Sequence, residues 1–432
     1  MGQHAACIIR RRSMPILPPR RGRELEGGGS PFDSRPESGA SKRYGLTLRT
    51  SHPTLRSLTR ILGGAMPNPP LRIGIVGASV NRGWGWRSHI PAILGLPECE
   101  LTAICTAHQE TADEAAKATG AKHAFADYRQ MVAHSDIEAV AIAVRVPWHR
   151  EIALAAMAAG KHVYCEWPLG VNPGEVAEMT AAAKAAGVCA MPGMQGRVAP
   201  WVLYFRELIE QGYVGRLLTV NARLTMGHPY QRAGIAWAAQ RAGGNHILTI
   251  QTAHMVDIVS FACGGLTTVS SVDSTMVPQW TLPSGETTAV DAPDQASIRG
   301  TLGNGATVSA HFAYVPHHGA GWRLEAYGDQ GTLVATSPGP AMVMPNRIQG
   351  GTAGDKALQD RPIPESFSTV PATVPYDSSA YHVAHMYQRL AAAVREGTPL
   401  DPSFESAMEL YRLVDTLERS SQQGGAVLPV SG

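Results

Sequence analysis

The sequence predicts an α/β protein with two folded parts: a doubly wound parallel sheet, followed by an α+β part built on a large, open, mostly antiparallel sheet. Two observations carry this prediction. From LRIGIVG (71–77) onward, short apolar runs alternate with helical patterns, as βαβ units require. After Gln211 the pattern changes to long period-2 runs separated by glycine turns, which read as antiparallel strands with one wet face.

What precedes the first strand differs in kind. Residues 1–66 are rich in Arg, Ser, Gly and Pro and lack a sustained hydrophobic period. They are expected to form a disordered leader, because they cannot bury enough apolar surface to offset the entropy of ordering them. Three readings stay open: an organelle transit peptide, a basic tail, or upstream sequence ahead of a start at Met66, which is favoured because Met66 stands just before the first strand. Residues 1–65 hold 12 basic and 4 acidic residues against 25 and 31 in the remainder, so the folded part has no basic footprint for nucleic acid. No apolar run approaches the roughly 18 residues of a membrane span. The six cysteines (Cys7, Cys99, Cys105, Cys165, Cys189 and Cys263) lack metal-ligand spacing. The expectation is a soluble, cytoplasmic protein with reduced thiols and neither membrane nor nucleic-acid partners.

In the first part, LRIGIV, LTAICT, AVAIAV and HVYCEW predict strands, and Glu110–Thr119 and Arg150–Ala159 predict helices. A Rossmann dinucleotide fold needs glycine where the first strand turns so that backbone amides can approach a pyrophosphate. Gly74 and Gly77 flank that strand end, but the G-x-G-x-x-G pattern breaks at Ser79. A longer loop, NRGWGW, follows and carries Trp84 toward a helix around His89. The second strand ends Cys105-Thr106-Ala107-His108, without the carboxylate that would bind an NAD ribose. Losing that charge removes repulsion against a 2′-phosphate, so NAD or NADP is expected with a slight lean to NADP, slight because no arginine takes its place. In the second part, LLTVNARLTM, TTVSSVDSTMV, DQASIRGTL, GATVSAHFAY and WRLEAYG predict strands, and Pro338–Ala372 predicts a long loop with little core.

Two stretches add a resemblance. AAGKHVYCEWPLG (158–170) resembles the AGKHVxxEKP signature of the Gfo/Idh/MocA oxidoreductase family, and IAVRVPWHREIAL (142–154) resembles that family's TPNxxHxxIA stretch. The likeness runs from about Leu71 to the C-terminus through LIEQGYVGRLLTV and the closing helical stretch from Tyr387. GASVNRGWGWRSHIPAI, VYCEWPL and MQGRVAPWVLYFRELIEQGYVG are similar to the branch that holds a fungal galactose/lactose regulatory repressor. The resemblance implies an NAD(P)-binding domain over 67–194 and a substrate and dimerisation domain over 195–432, whose final helices return to the first domain. It places Gly77, Ala78, Ser79 and the loop through Trp84 along the pyrophosphate, with Thr106 at the second strand end. Val144, Val146, His149 and Glu166 would approach the ribose and nicotinamide.

Oxidising an alcohol by hydride transfer to a nicotinamide needs a base for the hydroxyl proton. The family's lysine is replaced here by Trp167, whose indole donates a hydrogen bond but accepts no proton. Trp167 either stacks on sugar or cofactor or fills the lysine's space. The family's D-x-x-x-H-x-x-D pattern corresponds to GGNHILTIQTAHMVDIV, with His254 and Asp257 in register and Ile250 at the place of the leading aspartate. His254 is therefore the best remaining acid/base, with His246 second, unless it is simply a core histidine. Gln195, Arg197 and Tyr230 are implied to face substrate, with an ion pair as the alternative for Arg197. His228, His246, His317 and His318 lack carboxylates at ligand spacing, so no metal is expected. Two functions follow: an NAD(P)-dependent oxidoreductase acting on a sugar, polyol or related hydroxy compound, or a non-catalytic NAD(P)-binding regulator. The resemblance implies that the open sheet supplies the interface of a homodimer or higher homo-oligomer.

Overall fold

The structure, a computed structural model, describes residues 68–227, 229 and 235–430; the expected leader, His228 and Tyr230 lie outside them. Six parallel strands form the first sheet: β1 (Leu71–Val76), β2 (Cys99–Cys105), β3 (His123–Phe125), β4 (Ala139–Ile142), β5 (His162–Cys165) and β6 (Ala190–Pro192). Their order is 3-2-1-4-5-6, the doubly wound arrangement whose switch point lies between β1 and β4. Leu71, Ile73, Ile75, Val140 and Ile142 are buried on one face or the other, which is why β1 and β4 read as continuous apolar runs.

The helices of this part are α1 (Ile90–Gly95), α2 (Gln109–Thr119), α3 (Tyr128–Ala133), α4 (His149–Ala158) and α5 (Pro173–Ala186). Local chemistry sets their ends. Asp127 caps α3 by accepting from the Arg129 amide, and Asn172 caps α5 by accepting from Glu175, with Pro173 in the first turn.

After α6 (Pro200–Glu210), β7 (Leu217–Gly227) opens the second part, followed by α7 (Ala253–Cys263) and β8 (Leu266–Ser274). A short hairpin of β9 (Gln279–Thr281) and β10 (Thr287–Ala289) precedes β11 (Gln295–Leu302), β12 (Thr307–Val315), β13 (Gly321–Gly328), β14 (Gly331–Ser337), β15 (Arg347–Thr352) and β16 (Gln359–Asp360). With β17 (Leu428–Pro429), nine strands form one sheet in the order 16-15-14-13-7-12-11-8-17. All neighbours pair antiparallel except β7 with β12, between which the chain runs through α7 and the strands β8 to β11.

One expectation is corrected here. The stretch 338–372 is not a coreless loop: it carries β15 and β16, and it buries Ala341, Met342 and Ile348. The strand RIQGGT escaped notice because, of its inward positions Ile348 and Gly350, the second is a glycine. A Cβ on Gly350 would lie 2.8 Å from the Tyr213 hydroxyl, so the neighbouring ring fills the space that a large apolar residue would have signalled.

The last two helices, α8 (Ala380–Glu396) and α9 (Phe404–Gln422), frame the molecule. On α8, Val383, Tyr387 and Leu390 join the apolar cluster of Ile73, Ile75 and Ile90, while α9 places Leu410, Tyr411 and Leu417 in the core shared with the second sheet. Among the described residues no helix is long and apolar enough to cross a membrane.

Candidate functional site

The site is built at the carboxyl ends of β1, β4 and β5. Gly77 leaves β1 with φ +101°, and a Cβ there would sit 2.5 Å from the Ala143 carbonyl oxygen. A Cβ on Gly85 would sit 2.5 Å from the Gly77 carbonyl oxygen. Only glycine lets the ends of this loop approach so closely. Ala78 is buried under the turn, while Asn81, Arg82 and Gly83 face outward. The loop then enters a π-helical turn, Gly85–His89. A second such turn, Leu248–Thr252, leads into α7. These turns are rare and recur at functional sites, and both border the same region.

Glu166 lies one residue beyond β5, and its Oε1 is 3.0 Å from Nε2 of His89. His89 is fully buried, and its Nδ1 is 2.7 Å from the Tyr387 hydroxyl. An ionised carboxylate only accepts, so Nε2–H donates to Glu166, and Nδ1 shares the second hydrogen bond with the Tyr387 hydroxyl. Burial alone would raise the Glu166 pKa, but the hydrogen bond and charge of His89 outweigh it and hold the carboxyl below its ordinary value.

Trp167 is fixed in the interior. Its indole N–H donates to the Thr249 carbonyl at 2.7 Å, and its ring packs on Tyr411 with centroids 4.7 Å apart. The indole is thus both packed and hydrogen-bonded within the protein, 6% exposed. His254 lies edge-on to that indole, 6.4 Å between centroids. Burial pushes the His254 pKa down to about 4, against the opposing charge of Glu166. Asp257 is held by Arg197 in a two-pronged ion pair, with Nη2 to Oδ1 at 2.7 Å and Nε to Oδ2 at 3.1 Å. The ion-pair alternative for Arg197 is thus the one adopted, and the Asp257 carboxylate is directed to it. His149 bridges the carbonyls of Val144 and Pro168, at 3.0 and 2.8 Å, so its ring pins the β4–α4 turn from behind. Thr106 likewise turns inward, donating to the His108 carbonyl and bonding Thr111.

Beside this cluster lies a cavity of about 350 Å³, lined by Trp84 and Arg87 of the glycine loop and by Trp237, His246, Gln251 and Trp280 of the second part. Three atoms on its lining side chains are buried without a hydrogen-bond partner: Nε1 of Trp84, Nδ1 of His246 and Oε1 of Gln251. Burial, aided by the charge of Arg241, lowers the His246 pKa to about 4. Gln195 is also buried with an unpartnered Oε1. Buried polar groups without partners are costly in a folded protein, and a site for a hydrogen-bonding ligand is one place they persist.

Sequence reasoning missed His89, Tyr387, Gln251, Trp237 and Trp280. The first two lie 298 residues apart and no local pattern links them. It also missed His123, His134 and Asp136, whose ligand atoms lie within 4.8 Å of one another on β3 and ahead of β4; there His123 and Asp136 pair at 2.8 Å.

The region fits a dinucleotide on its own geometry. The tight glycine turn brings backbone to the switch point, and Glu166 stands at a strand end as a hydrogen-bond acceptor. Comparison with known proteins agrees. The oxidoreductase family with an NAD-binding Rossmann fold, Gfo/Idh/MocA, matches residues 71–194, and a Gfo/Idh/MocA C-terminal domain matches residues 202–334. Levoglucosan dehydrogenase of Pseudarthrobacter phenanthrenivorans is 26% identical over 389 residues, covering 81% of this chain and 96% of that protein. The galactose/lactose metabolism regulatory protein GAL80 of Saccharomyces cerevisiae is 25% identical over 260 residues, covering 56% of this chain and 60% of that protein. In structure, a super-repressor mutant of Gal80p superposes with a TM-score of 0.75 at 21% identity, covering 84% of this chain and 98% of that one. Levoglucosan dehydrogenase in complex with NADH and L-sorbose superposes with a TM-score of 0.71 at 24% identity, covering 84% and 99%. The two models together match more than half of the chain, which belongs to the Gfo/Idh/MocA oxidoreductase family, with an NAD-binding Rossmann fold over residues 71–194.

Proposed function

We propose that this chain is an NAD(P)-dependent dehydrogenase acting on a small ring-shaped polyol or sugar bound in the cavity between the glycine loop and the second sheet. The observation that carries the reading is the lining of the cavity, where Trp84, Trp237 and Trp280 form apolar walls beside the polar side chains of His246 and Gln251. Indole faces suit the C–H faces of a sugar ring, and the polar atoms suit its hydroxyls. The relative that binds NADH and L-sorbose supports the substrate class. A bound nicotinamide would supply the hydride acceptor, with Glu166 beside its ribose and the loop from Gly77 to Trp84 along its phosphates.

The proton falls to an imidazole. His246 lines the cavity and His254 lies next to Trp167. With pKa values lowered to about 4 by burial, both are neutral at pH 7, the form that accepts a proton, but each is a weak base unless a neighbouring charge favours its imidazolium, as Glu166 does for His254. Trp167 favours a second reading, a nucleotide-binding regulator without turnover, because its indole occupies the family's lysine position and is locked to Thr249.

One experiment separates the two. Purified full-length protein is titrated with NADH by fluorescence, then supplied with NAD⁺ or NADP⁺ and a panel of cyclic polyols and anhydrosugars while absorbance at the reduced-nicotinamide band is followed. Turnover that falls at least about a hundredfold in His246→Gln supports the enzyme, in line with the usual worth of general acid–base catalysis. Nucleotide binding without turnover on any compound favours the regulator, and no nucleotide binding refutes both.

A further inference from the structure

The chain Glu166–His89–Tyr387 passes through the fully buried ring of His89, and nothing in hydride transfer by itself calls for it. Glu166 comes from the end of β5, His89 from the first π-helical turn and Tyr387 from the middle of α8, late in the chain. His89 uses both ring nitrogens inside the protein, at 3.0 and 2.7 Å. Its ring is held between Tyr164 and Tyr387, with centroids 5.0 and 5.7 Å away. The other carboxylate oxygen of Glu166 is confined as well: a Cβ on Gly193 would lie 2.8 Å from Oε2. A second bond, Ser88 Oγ to Ser379 Oγ at 2.7 Å, ties the same turn to the start of α8.

We infer that His89 and Tyr387 are positioning residues that orient the Glu166 carboxylate toward the bound nucleotide, so that α8 controls cofactor affinity from outside the nucleotide-binding domain. The inference rests on the proposed nucleotide site. A glutamate side chain has three rotatable bonds, and fixing Oε1 leaves Oε2 with one direction in which to meet a ribose hydroxyl. Tyr387 acts one step removed: its hydroxyl fixes the His89 ring and thereby the direction of the Nε2–H bond.

The test uses the full chain and NADH fluorescence titration. Tyr387→Phe removes one hydroxyl and no packing, and it is expected to raise the NADH Kd about two- to tenfold, the worth of one neutral hydrogen bond. His89→Gln keeps an N–H for Glu166 and is expected to bind NADH more tightly than His89→Ala. In a Glu166→Gln background the effect of Tyr387→Phe is expected to shrink, because the coupling passes through the carboxylate. A purely structural Tyr387 would lower Tm and leave the Kd unchanged. Wild-type Kd in Tyr387→Phe, or the same fold-change with and without Glu166, overturns the inference while leaving the nucleotide site standing. A wild-type chain that binds no NADH overturns both.

Discussion

Replacing Arg197 with alanine exposes what holds α7 in place. Asp257 is only 3% exposed, and its sole ion-pair partner among the described residues is the Arg197 guanidinium. Burial raises its pKa and Arg197 partly offsets that rise. Without the guanidinium the carboxylate is buried and unpaired, a situation that costs about 3–5 kcal/mol. The pH dependence has a definite sign. An aspartate whose folded pKa lies above its unfolded value holds a proton in the native state that the unfolded state releases, so stability falls as pH rises through the folded pKa. The variant's loss is therefore largest at neutral pH and shrinks as pH drops toward the unfolded value of about 3.9. Urea unfolding followed by tryptophan fluorescence at pH 7 and pH 4.5 measures it. The double variant Arg197→Met with Asp257→Leu should recover most of the loss, because apolar residues of similar size remove the desolvation cost of both charges. A loss under about 1 kcal/mol for Arg197→Ala, or one independent of pH, refutes the argument.

Gly77→Ala places a Cβ 2.5 Å from a backbone oxygen at φ +101°, so the turn must open; the expected result is a lower Tm and an NADH Kd raised by at least about tenfold, read by fluorescence. His246, His254 and His382 all have pKa values lowered to about 4 by burial, so the unfolded state binds their protons first as pH falls. Stability they contribute above pH 6.5 is lost between 6.5 and about 4, and urea midpoints should drop across that window; midpoints that stay level there would contradict the burial of these rings.

The longer elements were legible from the sequence because each carries its own period, continuous apolar runs for β1 and β4 and alternation for β7 and β12, whereas β3, β6, β15, β16 and α3 were not, most of them being too short to show one. The glycine turn was legible for the same reason, since a tight turn needs its residue at one position. Trp167 in the lysine slot could be seen, and so could the loss of an easy base. What the sequence left open was which side chain meets which. Arg197 and Asp257 lie 60 residues apart, and their pairing decided between substrate contact and ion pair. His89 joins Glu166 and Tyr387 across 77 and 298 residues, and His246 shares a cavity with Trp84 because the segment ahead of α7 comes to the glycine loop. Local structure follows from neighbours along the chain. The site follows from distances through space, which only the packed core sets.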